Sequence, residues 1–193
     1  MKKFRIALSL LGLAWAGLIA VGMTVLAREE FTPVATLPSV VDFPRDSSIP
    51  RATDRPTLVL FAHPHCPCTR ATFDELDQLL AEAGGRLSVQ VVFTLPPGVP
   101  PGWEQGGLLE SAEKFPGVDI IFDRDGKEAR RFDVTGSGHI LLYSPAGRLI
   151  FSGGITSSRG HEGDSPGREA IVSLVRTGRA SIDRTPVFGC SLL

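Results

Sequence analysis

An uncharged run from Ile6 to Ala27 opens the hydrophobic pattern of this chain, and no later apolar run is as long. As a helix rising 1.5 Å per residue, such a run spans about 30 Å, the thickness of a bilayer's hydrocarbon core. Residues 28 to 54 then carry Pro33, Pro38, Pro44 and Pro50 with few sustained apolar stretches. That composition predicts a linker, with one short edge strand near 34 to 41. The pattern tightens again at TLVLFAH (57–63), a compact β-branched and aromatic run that predicts a buried strand. In residues 69–85, Phe73, Leu76, Leu79, Leu80 and Ala83 recur at helical spacing, and Gly84 can end the helix. RLSVQVVFTL (86–95) reads as a second strand. A β-α-β crossover of this length implies that the two strands are parallel.

The remaining elements follow the same logic. Residues 103–115 predict a helix weakened by Gly106 and Gly107, after the rigid loop PPGVPPG. VDIIFD (118–123) predicts a third strand, and GKEARRFDV a short helix. Two apolar runs flank Ser144 to Gly147 within residues 139–154, the signature of a β-hairpin. Residues 165–178 predict a last amphipathic helix. The expected organisation is therefore a membrane segment at 1–27, a Pro-rich linker at 28–54, an α/β domain at 55–178 and a tail at 179–193.

Charge changes the picture mainly at the N-terminus. Lys2, Lys3 and Arg5 precede the apolar run and favour a cytoplasmic N-terminus, which places the rest outside the cytoplasm. A cleaved signal peptide is the alternative, since VLA before Arg28 resembles a cleavage site. Both readings export residues 28 to 193. The net charge of −1 offers no basic field for nucleic acid. The terminal CSLL fits a prenylation pattern, but that modification occurs in the eukaryotic cytosol and the tail is expected outside it.

Export bears on the chemistry, because disulfides persist outside the cytoplasm. There are three cysteines, Cys66, Cys68 and Cys190, so they cannot all pair within one chain. HPHCPCTR (63–70) places Cys66-Pro67-Cys68 between the first strand and the first domain helix. A thiol there meets free N–H groups and the positive end of the helix dipole, which favour its thiolate. Cys66 is then the nucleophile and Cys68 the resolving thiol, and Pro67 stiffens the link. A disulfide across one residue is geometrically tight, which makes it more oxidising. Two structural cysteines, or a static disulfide, are the plain alternative.

The β-α-β, α-β, hairpin and helix order resembles the thioredoxin fold over about residues 55 to 178, a three-layer α/β/α arrangement on a mixed sheet, here behind a transmembrane helix. HPHCPC, the SRGHEGD loop and the terminal FGC are most similar to bacterial membrane-anchored thioredoxin-like proteins of the kind often called RedB. That family usually has two residues between its cysteines and a cis-proline opening the hairpin; here there is one residue, and Gly138 with His139 stands in the proline's place. The resemblance implies an inner-membrane, single-pass protein with its domain on the periplasmic side. It also implies that the active end lies where the first strands finish, which would gather His63, His65, His139 and His161 near the cysteines. The tail from Gly178 to Cys190 can extend about 40 Å, enough for Cys190 to return there.

Two functional classes fit. In the first, the chain is a thiol–disulfide oxidoreductase needing no cofactor, acting on thiols or disulfides of exported proteins. Cys66 attacks, Cys68 resolves, His65 tunes the thiolate, and Gly138 and His139 shape the substrate groove, with Pro67, His161 and Cys190 in support. In the second, Cys66 and Cys68 with one or two of His65, His139, His161 or Cys190 bind Cu(I), with zinc as the alternative, because soft thiolates suit these ions. A thiol peroxidase fits less well: the residue three before Cys66 is His63, where peroxiredoxins have threonine.

Overall fold

The first strand, β1 (Thr57–Ala62), is buried at every position, which requires cover on both faces of its sheet. The structure is a computed structural model that describes residues 2–35 and 40–192. Its chain divides into two units, Met1–Thr32 and Pro33–Leu193. The first is the helix α1 (Lys2–Phe31), long and apolar enough to cross a membrane. Its few polar side chains are satisfied within the helix: the Ser9 hydroxyl donates to the Arg5 carbonyl (3.0 Å) and the Thr24 hydroxyl to that of Ala20 (2.8 Å).

In the second unit, β1 leads through α2 (Thr69–Ala83) to β2 (Ser88–Leu95), then through α3 (Gly107–Ala112) to β3 (Val118–Arg124). After α4 (Lys127–Arg131) come the hairpin strands β4 (His139–Tyr143) and β5 (Leu149–Gly153), and α5 (Pro166–Thr177) closes the element order. The sheet order is β3-β2-β1-β4-β5. β1, β2 and β3 are parallel, while β4 is antiparallel to β1 and β5 to β4, so the sheet is mixed as expected. α3 is shorter than the predicted 103–115, because residues 100–105 form tight turns ahead of the Gly106-Gly107 pair.

Strand periodicity sorts the core into two layers. Leu58, Leu60 and Ala62 face α2 and α5, where they pack with Phe73, Leu76, Leu79, Ala170 and Ile171. Val59, Phe61, Leu141 and Tyr143 face the other way, toward Ala129, Phe132 and Val134 around α4. α4 is only five residues long and cannot cover that face alone. Two segments expected as linker and tail complete the layer. Ile49 is buried there, Phe43 meets Phe132 and Tyr143 edge-on, and Leu192 joins from the C-terminus. Ser47 and Ser48 hydrogen-bond the Glu128 carboxylate on α4, which anchors the linker.

The same segments cover the free edge of β5. Residues 41–43 bond to 147–149 on one side, and Asp183 and Thr185 bond to Ser152 on the other. The short strand expected near 34 to 41 falls largely on residues 36–39, outside the described residues.

His139 lies on the linker face of β4. It is 1 % exposed, and its Nε2 pairs with the Ser152 hydroxyl at 2.9 Å. Burial, helped by the charge of Arg184, pushes its imidazole down to about 4. Between the ordinary histidine value near 6.5 and about 4, the unfolded chain binds a proton that the folded chain refuses. Stability is therefore full above about pH 6.5 and falls as pH drops to about 4, by about 3 kcal/mol at 1.36 kcal/mol per pH unit. Urea unfolding at about pH 7 and about pH 4.5 should show wild type losing roughly 2–3 kcal/mol more than His139→Gln. Equal losses would show that His139 takes its proton in the folded protein.

Candidate functional site

β1 ends at Ala62, and the chain turns tightly before α2 begins. The Cys66 N–H donates to the His63 carbonyl (3.1 Å), that of Thr69 to Cys66 (3.2 Å) and that of Arg70 to Pro67 (3.3 Å). Cys68, the residue before α2, already has helical backbone angles and its side chain caps nothing. The helix N-terminus is thus left to act on the thiols around it.

Cys190 reaches the same place from the C-terminus. Residues 189–192 run extended and antiparallel beside 135–137, with Gly136 opposite Ser191. The Ser137 N–H donates to the Cys190 carbonyl (2.8 Å) and the Leu192 N–H to the Thr135 carbonyl (2.9 Å). Phe188 and Leu192 are buried on either side of the strand's contact with Ser137, and the Arg159 guanidinium donates to the Gly189 carbonyl. This docking sets the Cys190 Sγ 2.9 Å from the Cys66 Sγ, with the Cys190 N–H also directed at that sulfur (3.4 Å). Cys68 completes a triangle: the three sulfurs lie within 4.8 Å of one another, and all three are free thiols.

The three thiols differ in acidity. Burial pushes Cys66 up, but hydrogen bonds from the Cys190 thiol, from Thr69 and from two backbone N–H groups outweigh it and hold Cys66 below the ordinary thiol value. Burial pushes Cys190 up to about 12, reinforced by its hydrogen bond to Cys66 and by the charge there. Cys68 is raised by burial and by the charge on Cys66, against a lowering contribution from Arg159. The arrangement therefore makes Cys66 the most acidic of the three thiols.

Thr69, Ser137 and Arg159, none of them in the predicted set, help to position these groups. The Ser137 hydroxyl accepts from the His63 N–H (2.8 Å) and bonds the Thr69 hydroxyl (2.6 Å), joining the motif to the 135–137 segment. Gly138 sits beside it at φ +87°, with its N–H on the Phe61 carbonyl, and a Cβ there would lie 3.0 Å from the Thr72 hydroxyl on α2. Arg159 comes from the SRGHEGD loop. That loop is pinned to α2 by Glu75, which accepts from the Gly163 N–H (2.8 Å) and pairs with Arg168 (3.4 Å).

The histidines disperse instead of gathering. His65 directs its Nε2 to the Trp103 carbonyl (2.7 Å) and packs edge-on against the Trp103 ring, as does His63. His139 is buried under the hairpin on Ser152, and His161 is exposed. No histidine nitrogen joins the three sulfurs among the described residues. Beside the motif a shallow cleft of about 210 Å³ is lined by His65, Cys66, Pro67, Arg70 and Leu108. A larger one of about 440 Å³ lies elsewhere, among Arg55, Asp77, Leu80 and Val89, and bears no thiol.

No protein-family model matches the chain, and no curated protein matches it. Two solved structures share its architecture. An uncharacterized conserved protein from Geobacillus kaustophilus is 18% identical, with a TM-score of 0.59, over 84% of this chain and 92% of that one. A hypothetical protein from Sinorhizobium meliloti 1021 is 17% identical, with a TM-score of 0.58, over 83% and 93%. The fold is thioredoxin-like. The sheet order carries that statement, with a β-α-β start, an antiparallel hairpin and thiols where β1 meets α2.

In this thioredoxin-like fold Cys66 is 1 % exposed, and the tail lies against it through Cys190. Gly189 permits the tail's close approach: a Cβ there would lie 1.9 Å from the Ser137 carbonyl oxygen. Gly189→Ala should therefore lift the tail and raise the iodoacetamide alkylation rate of Cys66 at least ~10-fold, the equivalent of about 1.4 kcal/mol of lost docking. An unchanged rate, read by mass mapping of the Cys66 peptide, would show that the tail does not cover it.

Proposed function

We propose that this chain is a membrane-anchored thiol–disulfide oxidoreductase of the extracytoplasmic face, acting on disulfides or thiols of exported proteins. α1 is the anchor, and the folded unit carries the chemistry. The observation that carries the reading is the Cys66 sulfur at the start of α2, with the Cys190 thiol at 2.9 Å, the Cys190 N–H at 3.4 Å and Thr69 all stabilising its thiolate. A thiol so favoured toward its thiolate is the one suited to attack a disulfide, and attack by thiolate is the step on which exchange depends. A second thiol must then release the bound partner, and Cys68 and Cys190 both lie within reach. Ser137 and Gly138 shape the approach, and Arg159 lends positive charge to the two thiols beside Cys66. Cys66→Ser should abolish catalysed reduction of insulin disulfides by dithiothreitol. Turnover by that variant at the wild-type rate would end the reading.

A second reading draws on the triangle itself. Three sulfurs within 4.8 Å of one another form a soft donor set suited to Cu(I), with zinc as the harder alternative. Of the ligands expected beside Cys66 and Cys68, Cys190 is the one whose sulfur lies with theirs. Binding would require the protons of Cys68 and Cys190 to leave, so it would weaken as pH falls. On this reading the purified protein retains one Cu(I) per chain against a competing chelator such as bathocuproine disulfonate, and Cys190→Ser loses it. Equal retention by that variant would remove the triangle as the site.

A further inference from the structure

The tail lies beside the nucleophile as an extended strand with a cysteine in register, and this arrangement bears on which thiol closes the reaction. We infer that the working disulfide of this site forms between Cys66 and Cys190, and that the tail is both the cap over Cys66 and the carrier of its resolving thiol. The inference rests on the thiol–disulfide reading above.

Geometry separates the two candidate partners of Cys66. Cys66 and Cys68 share one turn, closed by the Thr69 N–H on the Cys66 carbonyl, with Cys68 already in the helical conformation that starts α2. Side chains two residues apart on a helical turn do not face each other, so joining these two means opening that turn and fraying the helix start. Cys190 is under no such restraint. It sits on a separate segment, 124 residues away in sequence, with its sulfur already 2.9 Å from that of Cys66. Closing to the ~2.05 Å of a disulfide asks for a shift of under ~1 Å in a tail held at its ends by hydrogen bonds. Cys68 meanwhile is hydrogen-bonded by Arg159, which leaves it a neighbour that adjusts the charge around the pair.

The steps balance with the substrate as oxidant. The substrate strand displaces residues 189–192, which lie against the Cys66 sulfur through the Cys190 thiol and N–H. The Cys66 thiolate attacks one sulfur of the substrate disulfide, forming a mixed disulfide and expelling the other sulfur as a thiolate that takes a proton from solvent. The charge on Cys66 is then gone, and with it one of the causes holding the proton on Cys190. The tail returns, and Cys190 attacks the Cys66 sulfur as its own proton passes to the departing substrate sulfur. The substrate leaves with two electrons as a dithiol, and the protein keeps a Cys66–Cys190 disulfide. An external dithiol reverses the bond for the next turnover.

The two possible bonds also differ in the loop they close. A Cys66–Cys190 bond restrains 124 residues of the unfolded chain, whereas a Cys66–Cys68 bond restrains almost none, so only the first should raise the melting temperature strongly on oxidation.

The test uses the full chain in detergent, with Cys190→Ser and Cys68→Ala beside wild type, each first shown by circular dichroism to be folded. Each is treated with 5,5′-dithiobis(2-nitrobenzoate), mapped by non-reducing peptide mass spectrometry, and melted in reduced and oxidised form. The expected result is a Cys66–Cys190 bond in wild type and Cys68→Ala, with a higher melting temperature on oxidation in both. Cys190→Ser should instead retain the thionitrobenzoate adduct on Cys66 and show no such rise. A Cys66–Cys68 bond in wild type, with the adduct retained by Cys68→Ala and released by Cys190→Ser, would overturn the role of Cys190 and leave the oxidoreductase reading standing. Failure of Cys66 to form any adduct or disulfide in all three would overturn both.

Discussion

Five strands whose side chains alternate between two apolar faces need a layer on each side, and this chain has few helices to supply the second. α2 and α5 cover one face. The other has only α4, of five residues, and the deficit is met by chain that would otherwise be linker and tail. Burying Phe43, Ile49 and Leu192 removes apolar area from water at roughly 25 cal/mol per Å², an incentive spread along both segments. The consequence reaches the site. The tail must cross from α5 to the linker face, and its path runs past residues 135–137 at the end of β1. Cys190 meets Cys66 because the sheet needs covering and because Gly189 has no side chain to hold the strands apart.

Much of the fold was legible in the sequence because periodicity and turn residues are local signals. The β1 and β2 runs, the stripe of Phe73, Leu76 and Leu79 on α2, and the hairpin around Ser144 to Gly147 each announce an element over a few residues. The docking of residues 40–54 and 183–192 was not legible in this way. Prolines and scattered apolar residues look the same in a free linker and in one laid across a sheet. The difference lies in an uncovered face that appears only when the whole sheet is assembled. The shortening of α3 has a local cause that composition did signal, in the Gly106-Gly107 pair.

At the site, Cys66 and Cys68 could be found from their place between a strand and a helix, and the return of Cys190 was at least within the length of the tail. The histidines misdirect a reader who counts residues by end of the fold. His139 opens β4 at the expected level, but strand alternation turns its side chain to the face away from α2, and it pairs there with Ser152. His65 is beside Cys66 in sequence, yet its ring is directed to Trp103. Thr69 and Arg159 lie inside the motifs HPHCPCTR and SRGHEGD but are not marked out there, and Ser137, which joins them in positioning the thiols, belongs to no motif. A serine that joins two loops by hydrogen bonds is indistinguishable in sequence from one in solvent.

The acidity of the three thiols bears on how one site can serve two chemistries. Cys66 is shifted toward its thiolate and its neighbours toward their protonated forms, so a charge on Cys66 is one that two thiols and the helix start can stabilise. A second thiolate within 4.8 Å would meet repulsion from the first, and this adds to the burial that mainly holds the proton on Cys190. Thiol exchange works within that limit, because each step consumes one thiolate before the next is formed. A soft cation would work differently, since coordination deprotonates each bound thiol and the ion's charge offsets part of the repulsion between them. On the proposed reading, thiol exchange follows the acidity order that the protein sets by itself, and metal capture would require the ion to change it.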